Sequence, residues 1–289
     1  MLETMVDGKV ANAITDNNSA ATCNICGTKP SAMKELDKIV SQPCNEEFYS
    51  YGLSTLHCRI RFMENLLKIS YRIPIYEGQT QPKPRYSDQE KQKIQEKKDE
   101  IHNKLRKELN ITVDVVKQGF GTTNDGNTSR MFFRNPEKTA SIIGLNQELV
   151  ERYSNILQVI TSGHPIDSEK FGKYARDTAA LYVEKYPWWN MPATVHKVLM
   201  HGSEIIKFFD VPIGKLSEEA LEAGNKVFRH TREFNARKTS RKDNLEDIIH
   251  HSLASSDPSI TNYRVEYERE KYHLELSDKA LELLEKFDI

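Results

Sequence analysis

The sequence predicts a mostly α-helical protein, and three observations carry that expectation. Apolar residues recur at helical spacing in long segments, as with Ile60, Met63, Leu66, Leu67 and Tyr71 inside Leu53–Ile73. Strand-like runs are few: Thr4–Val10, Ile111–Val116, and Asn262–Glu268 near the end. The composition of the 289 residues, 38% hydrophobic and 29% charged, with a mean hydropathy of -0.64, is that of a polar, helix-rich chain.

In chain order, residues 1–22 are short and mixed, ending in a polar stretch. A compact CxxC region follows, then the Leu53–Ile73 helix. Gly78–Ser87 contains prolines and reads as a linker. Ser87 and Glu90 have the spacing of a capping box. The charged helix they open runs to about Leu109 and has a thin apolar stripe of Ile94, Ile101, Leu105 and Leu109, suited to lying on a surface. Gln118–Arg130, with three glycines, reads as a loop. Helices resume at about 145–161, 168–186 and 192–209, and Ser217 is an N-cap candidate for another. No internal repeat is visible.

No apolar run approaches the roughly 20 residues of a membrane-spanning helix, and the first ten residues lack the pattern of a secretory leader. A reducing, intracellular setting is therefore expected. There, the four cysteines favour metal binding over disulfides. The net charge of -1 gives no global signal for nucleic acid, so any such contact must come from local basic patches.

The chemistry begins with Cys23 and Cys26, a CxxC followed by Gly27, and with His196 and His201, five residues apart. Two thiolates and two imidazoles make a tetrahedral zinc site. Positions five apart in an α-helix do not stack, so chelation by the pair needs the helix to tighten or end there. No thioredoxin-like βαβ pattern surrounds the CxxC, which argues against redox work. Cys44 and Cys58 read as free buried thiols, with His57 and Cys58 as competing ligands. A chance pair of histidines on a surface or in a core is the plain alternative.

Four segments read together carry a family likeness: CNIC at 23–26, GNTSR at 126–130, HKVLMH at 196–201, and EAGNKVFRHTREFNARK at 222–238. In these the chain resembles the C-terminal part of Transib-type DNA transposases and of the vertebrate V(D)J recombinase catalytic subunit, in order along nearly its whole length. The resemblance implies the C-terminal portion of an RNase H-like (DDE) catalytic core with a helical insertion and a Cys2His2 zinc site. It implies Mg2+ or Mn2+ held by three carboxylates, and phosphodiester hydrolysis followed by hairpin formation. Of those carboxylates, Asp7 and Glu222 match the second aspartate and the glutamate; an Asp-Gly turn and a solvated helix carboxylate are their plain alternatives. The first aspartate would fall before Met1, so the chain reads as a fragment of an endonuclease, inactive alone.

On this reading, 1–22 is a remnant of the core carrying Asp7, and 23–75 the CxxC half-site with its helix. Residues 76–190 are the helical insertion with its Gly-rich loop, 191–242 the histidine pair and the glutamate helix, and 243–289 a tail. The DNA contacts expected are Gly126, Asn127 and Arg130 in GNTSR, Trp189 as a base stacker beside a buried Trp188, and the basic stretch Asn225, Lys226, Arg229, Arg232, Arg237 and Lys238. The expected setting is the nucleus, with double-stranded DNA of transposon terminal repeats as partner and a homodimer as the assembly. No membrane or small-molecule substrate is expected. The alternative kept open is a non-catalytic, zinc-stapled module that binds DNA or protein.

Overall fold

The computed structural model describes residues 8–15, 17, 19–76, 78–119, 121–217, 219–263 and 276–285, the side chains of 8, 9 and 219–223 excepted. It divides into two compact units, Met1–Ser217 with Asp278–Ile289, and Glu218–Ser277.

The first unit is built of helices: α1 (Gly8–Ile14), α2 (Leu36–Val40), α3 (Thr55–Tyr76), α4 (Asp88–Leu109), α5 (Gly126–Phe133), α6 (Pro136–Ile143), α7 (Gln147–Thr161), α8 (Ser168–Lys185), α9 (Ala193–His196) and α10 (Gly202–Phe208). Between α9 and α10 the chain makes a π-turn, Lys197–His201. The centre is α3, whose Phe62, Met63, Leu66, Leu67 and Ile69 are fully buried. It packs against α4, α5, α7 and α9. Such burial stabilises by about 1.5–3 kcal/mol per side chain, while Arg61 and Lys68 remain exposed on another face.

The sequence sets several helix starts through short polar side chains. Ser87 and Glu90 form the expected capping box of α4. Asn146 caps α7 and Asp167 caps α8, each satisfying a backbone N–H that the first turn leaves unpaired. Helix α10 approaches α8 closely through a glycine on each: a Cβ on Gly172 would sit 2.9 Å from Ser203 Cβ, and one on Gly202 2.9 Å from Phe171 Cε1. After Asp278–Glu282, a short helix, the chain runs beside the start of α8, where Asp167 donates its backbone N–H to Leu283 at 3.0 Å.

The second unit holds α11 (Glu219–His230), a second π-turn (Thr231–Asn235) and α12 (Arg241–Ser255). Arg237 is fixed within it by Asp247, donating to Oδ1 at 2.8 Å from Nη2 and to Oδ2 at 3.0 Å from Nε. No helix of the described residues is long and apolar enough to cross a membrane.

Helices dominate, but the RNase H-like expectation is overturned. Among the described residues the sheet is a single antiparallel pair of two-residue strands, β1 (Val116–Lys117) and β2 (Gly121–Thr122). A catalytic core of that class needs a multi-stranded sheet to carry its carboxylates. Ile111–Val116 forms a strand only at its last residue, because Asp114 takes a left-handed φ of 56°. Gly8–Val10, read as the end of a strand, begin α1. With the sheet go the descriptors that depended on it: transposase, DDE, RNase H-like and endonuclease.

Candidate metal centre

The knuckle that carries the cysteines is a tight turn. Gly27, at φ +69°, lets its N–H reach the Cys23 carbonyl at 2.9 Å, while the Cys23 N–H donates to the Thr28 carbonyl at 3.0 Å. Two polar side chains hold the turn. The Thr28 hydroxyl lies 3.1 Å from Cys26 Sγ and donates to Gln42 Oε1 at 2.9 Å, and the Gln42 amide donates back to the Cys26 carbonyl at 2.7 Å.

The histidines reach the same point from the far end of the chain. Five residues in an α-helix subtend roughly 140° between first and last, which would point the rings apart. The π-turn at Lys197–His201 widens the helix locally, and the rings come to 5.1 Å between centroids. The sequence reading had the helix tightening or ending there; the structure widens it instead.

Cys23, Cys26, His196 and His201 are all buried, and their ligand atoms lie within 4.8 Å of one another. His196 Nε2 is 3.3 Å from Cys26 Sγ. Tetrahedral zinc with bonds of about 2.0–2.3 Å separates its ligands by about 3.3–3.8 Å, so the set fits the ion with small adjustment. His201 Nε2 is buried with no protein partner, and so is His196 Nδ1. A buried imidazole nitrogen left unpaired is costly, and a metal at the cluster is the natural partner for the former.

Proton affinities agree with ligand chemistry. The hydrogen bond from Cys23 holds the Cys26 thiol far below its ordinary range against the opposing effect of burial, and His196 and His201 add to it. The same bond, with burial, pushes Cys23 up. The two thiols titrate as a pair, and the direction that matters is that a thiolate is favoured between them. Burial lowers His196, outweighing Cys26, so the ring stays neutral, as coordination requires.

The other cysteines stand apart from the set. Cys58 is buried as expected, and His57 is engaged by Ser54, whose Oγ lies 2.7 Å from its Nδ1. Cys44 is only half-buried, with Sγ 3.8 Å from His201 Nδ1, outside the ligand side of that ring. Gln42 and Cys44 are neighbours of the centre that no spacing in the sequence points to.

Asp7 lies outside the described residues, and Glu222 falls in α11 with its side chain outside them. Among the described residues the Cys2His2 set is the metal-capable cluster, and no carboxylate cluster accompanies it. A catalytic Mg2+ or Mn2+ site has no support.

GNTSR is not a loop. It forms the first turns of α5, opened by Asp125, which accepts the Thr128 N–H at 2.9 Å. Asn127 and Arg130 are exposed on it and bond each other at 3.2 Å, while Gly126 abuts Leu56. Trp188 is buried as expected and stacks on Tyr76 at 4.2 Å. Trp189 is half-buried; its Nε1 donates to Asn65 Oδ1 at 3.1 Å, and the Arg72 guanidinium lies 4.8 Å from its ring. Asn225, Lys226, Arg229, Arg232 and Lys238 are exposed in the second unit; Arg237 is engaged by Asp247.

Comparison with known proteins gives a partial likeness. The chain is 44% identical over 63 residues to the V(D)J recombination-activating protein 1 of Oncorhynchus mykiss, covering 22% of this chain and 6% of the relative. It is 46% identical over 63 residues to that of Ginglymostoma cirratum, covering 22% of this chain and 58% of the relative. No family model matches. The relation is distant and partial: the likeness read along nearly the whole chain is found over about a fifth of it, and the matched stretch spans less than two thirds of either relative.

Proposed function

We propose that this chain is a non-catalytic module, stapled by one zinc ion, that binds duplex DNA through phosphate contacts. The carrying observation is the buried Cys23, Cys26, His196 and His201 cluster, with no carboxylate cluster beside it among the described residues. Such a site is closed: four protein ligands leave no position for water or substrate, the mark of a structural ion.

DNA as the partner is supported by the basic stretch and by the relatives, named for V(D)J recombination. Lys226, Arg229 and Arg232 follow one another at helical spacing and are exposed. The chain as a whole is near neutral, so these cations are a local feature. A nuclear setting goes with such a partner.

The test is fluorescence anisotropy of the zinc-loaded chain with a duplex of arbitrary sequence, over a salt series. Binding should weaken steeply with salt, and Lys226→Ala with Arg232→Ala should reduce the slope by about 2, since each phosphate contact contributes about 0.9. Salt-independent binding, or none, would overturn the DNA reading. Cleavage of the duplex in Mg2+ would overturn the non-catalytic one.

A further inference from the structure

The first unit contains a cavity of about 520 Å³ next to the metal cluster, within the size range of small-molecule sites. One wall is the knuckle, including Asn24 between the two cysteines. A second is the face of α3 carrying Arg61, Glu64 and Lys68. The third is the segment 190–197, ending in Lys197 beside His196. The metal ligands therefore join two of the walls.

The lining has a distinct charge. Arg61, Lys68 and Lys197 are cations and Glu64 is the carboxylate. Glu64 is occupied, accepting from Arg61 at 2.7 Å and from Asn124 at 3.3 Å. Lys68 and Lys197 enter no ion pair among the described residues, so the walls carry a net charge of about +2. Two ammonium groups around one space with no carboxylate partner favour the entry of an acceptor-rich anion. Leu53, Met191 and Pro192 supply apolar surface in the same space.

We infer that this cavity binds a phosphomonoester carried on a planar, partly apolar body: a nucleotide unit, either free or as the phosphorylated end of a strand. A phosphomonoester carries about -1.5 to -2 charges at pH 7 and three acceptor oxygens, matching the two lysines. The base would lie against the apolar wall. This goes beyond the duplex-binding reading, because it uses residues of the first unit and a different ligand class.

Titration calorimetry of the zinc-loaded chain tests it. Deoxythymidine monophosphate should bind at least about tenfold more tightly than thymidine, the loss expected for a charge-assisted contact. Exposed Lys68→Ala should weaken that binding by a similar factor while leaving metal content and Tm unchanged, and Lys197→Gln should act likewise. A short oligonucleotide with a 5′-phosphate, compared with its unphosphorylated twin, separates a strand end from a free nucleotide. Equal affinity for nucleotide and nucleoside, or no effect of Lys68→Ala, would overturn the inference. Binding that survives chelation would overturn the claim that the ion assembles the walls. Nucleotide binding that persists when duplex binding is absent leaves this site standing and removes the duplex reading alone.

Discussion

Removing the metal should destabilise the first unit, and the size of the effect follows from where the ligands lie. Cys26 and His196 are 170 residues apart. Treating the ion as a cross-link that closes this loop, chain-entropy arithmetic gives about 5 kcal/mol at 25 °C. A staple that held only the Cys23–Cys26 turn would give about 2 kcal/mol by the same relation. The first unit comprises Met1–Ser217 and Asp278–Ile289, a size for which 1 kcal/mol moves Tm by about 2–4 °C. Chelation should therefore lower Tm by about 10–20 °C. The assay is calorimetry of the chain with and without chelator, alongside elemental analysis. Cys26→Ser and His196→Asn should each lose the ion and reproduce the drop, whereas Cys58→Ser should keep the ion. Purification of the folded polypeptide with no bound metal, or a drop below about 8 °C on the metal's removal, would refute the reasoning.

Two further outcomes follow from buried polar networks. Burial would raise Asp114, but it is overcome by His102, whose Nε2 lies 3.8 Å away, and by the hydrogen bonds from Asn124 and Tyr71, leaving the carboxyl well below its usual range. A depressed folded pKa contributes stability that is fully present above the unfolded value, about 3.9, begins to fade below it and is lost as pH falls through the lower folded value. Asp114→Asn should therefore lower Tm at pH 7, by the equivalent of about 1–3 kcal/mol, and remove part of the acid sensitivity below about pH 4; parallel acid titrations of the two proteins would show it. Asn65 is 1% exposed; it donates to Tyr153 Oη and accepts from Tyr182 Oη and Trp189 Nε1. Asn65→Leu should cost about 3 kcal/mol or more, by stranding those buried groups, read as a lower urea midpoint; an unchanged midpoint would contradict the network.

What the sequence made legible was residue type and helical period. The capping box at Ser87, the helices near 145–161 and 168–186, and the two cysteine and histidine pairs follow from local chemistry and stand in the structure. GNTSR misled because glycine and asparagine suggest a loop; Asp125 caps the segment, and Gly126 sits close to Leu56, whose Cδ1 would be 2.7 Å from an added Cβ and would have to move. Ile111–Val116 misled because its branched residues suit a strand, whereas Ile111 and Val113 are buried anchors of an extended segment that turns at Asp114. Gln42 reaches the knuckle from 16 residues away, a contact that only tertiary packing creates. The RNase H-like reading rested on motif likeness alone, and a motif does not carry a sheet with it.

The π-turn between the two histidines also acts as a phase shifter. One additional residue in a helix advances every later side chain by about 100° around the axis. The buried positions of α10, Gly202, Ser203 and Ile205, are indexed to the bundle by that offset. Forcing the same residues of 197–201 into an ordinary helix would point the two rings apart, swing Ile205 toward solvent and carry Gly202 away from Phe171. The same insertion thus sets both the geometry at the ion and the angular register of the segment beyond it.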